Sequence, residues 1–165
     1  MAKTDAFFIR ATVPTNGTTY AQAAIDLGAY VDALGKSVLR IHNIAVQYGS
    51  PLDVPTVTAN STNGIAFQVT TQTQTDMVSA DDRSLIAGGK LVIGGDAGGV
   101  VNIMSESLDV APQHWTKGYL VGVETVYLAT DATANVSLDE INIVMECTVE
   151  TLSQSAAMAL ALSQQ

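Results

Sequence analysis

Charge is scarce in this sequence. Only 14% of its 165 residues are Asp, Glu, Lys or Arg, against about 25% in an ordinary globular protein. Basic residues are the scarcest: seven Lys and Arg stand against 16 Asp and Glu, a net charge of −9. Holding a phosphate backbone takes clustered Lys and Arg. Lys3 and Arg10 near the N-terminus do not make a polybasic arm, so strong direct binding of nucleic acid is not expected. A single cysteine, Cys147, excludes an internal disulfide. No apolar run reaches the roughly 18 residues of a membrane-spanning helix. The opening "MAKTDAFFIRAT" lacks the long apolar region of a secretory signal, which implies synthesis in the cytosol. Aromatic residues total 5%, thin for a carbohydrate-binding module. Sequons at Asn16, Asn60 and Asn135 are of the kind a Thr- and Ser-rich chain acquires by chance.

What is present is a good core, 47% hydrophobic residues, arranged mostly with a period of two. Residues 5–13 alternate as a strand, "PTNGTT" turns, and residues 20–25 make a second strand. In "DLGAYVDALG" the period changes. Leu27, Tyr30, Val31 and Leu34 share a helical face, with Asp26 to cap and Gly35 to stop a helix of about two turns. Residues 37–48 are a long strand whose apolar phase slips: Leu39 and Ile41 are odd, Ile44, Val46 and Tyr48 even. A β-bulge near His42–Asn43 would restore the register. A long loop, 49–64, leads to a strand over 65–75. A helical turn over 81–87, stopped by Gly88, precedes short strands at 90–93 and 100–104. Residues 108–117 read as a loop, 118–130 as one strand apolar on both faces, and 140–150 as the cleanest alternation. The tail is an uncharged helix in which Leu152, Ala156, Ala159 and Leu160 form a stripe.

Strands do not alternate with long helices, so a parallel α/β sheet is not expected. The pattern predicts an all-β fold, a single jelly-roll antiparallel β-sandwich of about eight strands. Short helical inserts and a C-terminal helix complete it. Residues 1–150 form the sandwich domain with a short N-terminal arm, and residues 151–165 the helical tail.

Few residues suggest chemistry. His42 and His114 lie far apart, with no His pair at ligand spacing and Cys147 in a core phase, so no metal site is expected and each histidine reads as structural. Cys147 among Met145 and Val149 reads as a buried small hydrophobe rather than a nucleophile. The glycines of "GGKLVIGGDAGGVV" neither open a helix nor carry Gly-Lys before Ser or Thr, so they read as hairpin turns and a bulge rather than a phosphate loop. Asp81 and Asp82 read as a helix cap. Trp115, the only tryptophan, could stack a sugar together with Tyr119, anchor a loop, or plug a neighbouring subunit. No triad, dyad or metal set marks an enzyme, and no cofactor is expected.

The stretch "FQVTTQTQTDM" poses a different question, because it is strand-like yet polar and uncharged on both faces. A soluble monomer prefers charged faces. Neutral Thr and Gln can be buried between subunits at modest cost when they hydrogen-bond. Thr71, Gln72, Thr73 and Gln74 are therefore candidates for a subunit interface, together with Trp115 and with Leu152, Ala156 and Leu160 of the neutral tail. That tail is expected to dock on a neighbouring subunit or on the inner face of an assembly.

The segments "IDLGAYVDALGKSVLRIHNIAVQY" and "DMVSADDRSLIAGG" carry a resemblance. Their order of strand, short helix and long strand, with a helical insert before a glycine turn, resembles the small single jelly-roll capsid proteins of icosahedral viruses of bacteria and archaea. The resemblance implies a major coat subunit that assembles with copies of itself in a virion and is made in the host cytoplasm. The missing basic arm departs from coats that package bare RNA or single-stranded DNA. It implies weak or indirect genome contact, through other capsid proteins or an internal membrane. A lectin-like binding module and a trimeric head-decoration or fibre protein are the alternatives.

Overall fold

The computed structural model describes residues 3–32, 34, 36–104, 114–133 and 136–165. Among these residues nine strands and one helix follow in order. They are β1 Phe7–Pro14, β2 Ala21–Asp26, β3 Ser37–Tyr48, β4 Thr62–Thr70, β5 Leu85–Gly95, β6 Val101–Met104, β7 His114–Val121, β8 Thr125–Ala132, β9 Glu140–Thr151 and α1 Gln154–Ser163. They build two antiparallel sheets, one of order β1-β9-β3-β7 and one of order β2-β8-β4-β5-β6. With β6 set aside, each sheet holds four strands drawn alternately from the two halves of the chain. This is the interleaved double Greek key of a jelly roll.

The core lies where inner faces meet. Phe67, Ile65 and Val69 of β4 face Leu39, Ile41 and Ile44 of β3 and Ile141, Ile143 and Met145 of β9, all buried. Tyr48 meets Phe67 edge-on with ring centroids 6.0 Å apart. The expected bulge is present: the pairing of β3 with both β7 and β9 shifts between Ile41 and Asn43. One extra residue there puts Leu39, Ile41, Ile44 and the following even positions on one inner face. Cys147 is buried, and burial pushes its thiol up to about 12.

Several expectations need correction. The helix expected over "DLGAYVDALG" is a turn: Val31 N bonds Leu27 O at 2.9 Å, and the chain is back in a bridge by Asp32; Ala33 and Gly35 lie outside the described residues. The helical turn expected over 81–87 is also a turn. It ends at Ser84 because Asp82 takes the Ser84 amide at 2.8 Å, and the strand resumes at Leu85 and runs through Gly88 and Gly89 to Gly95. The strand expected over 118–130 is two strands in different sheets, split at Gly122. Its continuous apolar run misled because Val121 and Val126, on either side of the break, are both buried although they belong to different sheets. His114–Lys117, expected as loop, opens β7, while 108–113 lies outside the described residues, as does Asn135.

The tail helix starts at Gln154, with Ser153 as its cap accepting from Ala156 N. Its buried face is Ala157 and Ala161, not the stripe of Leu152, Ala156, Ala159 and Leu160. Through that face it docks on its own sandwich, beside Leu120 and Gly122.

Candidate functional site

Three places in the fold gather polar or exposed groups, and the strand "FQVTTQTQTDM" leads to the first. β4 ends at Thr70, not near Thr75. Ile65, Phe67 and Val69 point inward, so Gln68 points out of the sandwich. Yet Gln68 is only 1% exposed. Loop 71–84 folds back over the outer face of the five-stranded sheet and covers it. The Gln68 carboxamide holds that loop from both ends: its nitrogen donates to Asp76 O at 3.1 Å and to the Tyr20 hydroxyl at 3.0 Å, and its oxygen accepts from Val78 N at 2.8 Å. Gln74 N donates to Gln22 Oε1 at 3.0 Å, and Gln74 Nε2 donates to Ser84 Oγ at 2.9 Å. The uncharged amides are thus neutral partners for loop backbone that has left the ladder. Burial pushes the Tyr20 hydroxyl up.

The second place is where this loop, the 122–124 turn and α1 converge. Gln164, at the end of α1, inserts its buried carboxamide into the turn. Its Oε1 accepts from Gly122 N at 2.8 Å and its Nε2 donates to Leu120 O at 2.7 Å. Gly122 fits closely there: a Cβ would stand 3.0 Å from Leu160 Cγ and 3.1 Å from Ala161 N. Gln72 Nε2 reaches Gln164 O at 3.4 Å. Between them opens a cleft of about 620 Å³ lined by Thr71, Thr73, Glu124, Tyr127 and Gln165 among others. Thr71 is buried and its hydroxyl has no partner.

The third is the outer face of the four-stranded sheet, where the ion pairs collect. Arg40 Nε and Nη2 donate to the two Glu150 oxygens, both at 2.7 Å, and its Nη1 donates to Lys117 O. Lys3 Nζ stands 3.6 Å from Glu150 Oε1. The Arg40 hydrogen bonds above all hold the Glu150 carboxyl below the usual range, against the effect of burial. Here the register brings His114 opposite Asn43, the neighbour of His42. Sequence distance concealed that proximity. His42 Nε2 lies 2.9 Å from Thr148 Oγ1. Among the described residues no three His, Cys, Asp or Glu side chains group to hold a metal ion.

Of the interface candidates, Gln72 and Gln74 hydrogen-bond within their own chain and Thr71 is buried, while Thr73 and Ala156 are exposed and Leu152 and Leu160 half-buried. Trp115 is half-buried against the core with its ring centroid 5.9 Å from that of Tyr119, at a 48° tilt. Two such partly buried, tilted rings do not offer the open coplanar platform that sugar stacking would use.

Sequence reasoning missed Gln68, Gln164 and Gly122. A Gln on the outward phase of an otherwise apolar strand was the available signal for the first; nothing local marks the other two. No described helix is long and apolar enough to cross a membrane. The sequence matches no protein-family model and no curated protein.

Proposed function

We propose that this chain is a self-assembling coat subunit that tiles an icosahedral shell. The observation that carries the reading is the set of large apolar side chains left on the surface at the loop ends of the sandwich. Leu52 is 94% exposed in loop 49–61, with Val54 beside it; Leu34, Met158 and Leu162 are exposed at the opposite end. Scattered single side chains of this kind are ordinary, but groups of them on loops mark surfaces that meet a partner. A copy of the same chain is the partner that low charge favours, since charged residues are the ones depleted from interface cores. The jelly-roll wiring supports the reading because its rigid core leaves both sets of loops free to form contacts. Net −9 without a basic arm supports weak or indirect genome contact, with other capsid proteins or an internal membrane as further partners.

Light scattering and negative-stain microscopy of the purified full chain test this. Closed particles of megadalton mass are expected. A monomer at all accessible concentrations overturns the reading, and a stable trimer replaces it with a head-decoration or fibre role.

A further inference from the structure

The two sheets differ by one strand, and the surplus strand is β6. β1 lies over β2 and β8, so the stacked pairs run out before the far end of the five-stranded sheet. The consequence appears in one cross-strand pair. Ile93 of β5 and Ile103 of β6 are directly opposed and therefore share the inner face. Ile93 is fully buried, but Ile103 is 61% exposed. β6 overhangs the sandwich with Ile103 of its inner face largely uncovered, Val101 half-buried and, among the described residues, nothing paired to its outer edge.

Such edges are normally protected by a charge, a proline or an irregular backbone. The other three edges of this molecule have that protection. β1 carries Arg10 and ends in Pro14; β2 ends in Asp26; β7 carries Lys117 beside Gly118, whose φ is 74°. β6 reads Val-Asn-Ile-Met and carries none of the three. The acid at the preceding turn, Asp96, is occupied in that turn, accepting from Gly98 N at 2.8 Å and Val100 N at 2.9 Å.

We infer that the outer edge of β6 is a strand-addition site for β6 of a second copy of this chain, joining two five-stranded sheets across a two-fold axis. Charge selects this occupant. Each copy bears −9, and β6 is the edge along which two copies meet with no like charges opposed. Centred on Asn102, the antiparallel pairing puts Asn102 opposite its symmetry mate and Val101 opposite Ile103 of the second copy. Val101 and Ile103 of the two copies then pack side by side on the inner face of the joined sheet, and the carboxamides hydrogen-bond across the axis. The inference names one contact of the self-association proposed above and rests on that reading.

Single-cysteine trapping in the full chain tests it, because native Cys147 is buried. Asn102→Cys under mild oxidation is expected to give a covalent dimer. Ala97→Cys, exposed at the tip of the adjoining turn but displaced from the axis, should not. Ile103→Lys should raise the protein concentration needed for assembly on the order of tenfold, because it puts a charge into the apolar contact and sets like charges diagonally across the axis. If wild-type particles form while Asn102→Cys crosslinks no better than Ala97→Cys and Ile103→Lys assembles normally, the β6 contact is wrong and the shell reading stands. If wild type forms no particle yet Asn102→Cys dimerises selectively, the contact stands and the shell reading falls.

Discussion

The two outer faces of the sandwich solve the same problem in opposite ways. The four-stranded sheet carries charged side chains on its outer face, with Arg40 and the buried Glu150 paired across strands and the half-exposed Lys3 beside them. The five-stranded sheet shows water almost nothing of its centre, because loop 71–84 covers it and neutral amides hold the loop down. The difference teaches where uncharged polar residues belong. A carboxamide can be buried if each of its groups finds a backbone partner, whereas a charge must keep water or an opposite charge. The neutrality of "FQVTTQTQTDM" therefore reports first a cover within one chain; contact between chains is left to exposed Thr73 and to other surfaces.

Substituting one glutamine on each face breaks the comparison most sharply. Gln68→Ala removes three hydrogen bonds and leaves Val78 N and Asp76 O without partners under the loop. A loss of about 3 kcal/mol is expected in urea unfolding. Gln47→Ala, exposed on the other face, should stay within about 0.5 kcal/mol. Equal losses would mean that loop 71–84 does not depend on the Gln68 carboxamide.

The charged face should fail with acid. Glu150 titrates below its unfolded value, so its stabilisation is complete above the ordinary glutamate value of about 4.3 and is lost as pH falls through the lowered folded value. Arg40→Ala should cost about 2 kcal/mol at neutral pH, the low side for a paired charge because solvent reaches Arg40. That difference from wild type should shrink in unfolding curves below about pH 4. A difference constant with pH would show that Arg40 acts through packing alone.

The seat of α1 should be the more forgiving. Gly122→Ala pushes a methyl into Leu160 and the backbone of Ala161, for an expected cost of about 1 to 2 kcal/mol and faster amide exchange confined to α1 and the 122–124 turn. Exchange unchanged in α1 would mean that the turn, not the helix, absorbs the methyl. Smallest of all should be any response to nucleic acid: duplex DNA at moderate salt is expected to produce no shift of the isolated subunit, and salt-sensitive sub-micromolar binding would contradict the charge argument.

Alternation by itself determined the sandwich: β3 and β9 are legible because each has one wet and one dry face, and the slipped phase of β3 located its bulge. Period could not say where a strand changes sheets. The stretch from Tyr119 to Ala129 is apolar on both faces for most of its length, so only the helix packed against Gly122 reveals the break between β7 and β8. Nor could it say which side of α1 is buried, for a helix of Ala, Leu and Met is nearly equally apolar all round, and Gln164, reaching the turn 42 residues away, chooses its face. Likewise a polar strand declares that it avoids charge, but not what covers it. That was decided by loop 71–84 returning over Gln68, a contact made by tertiary folding.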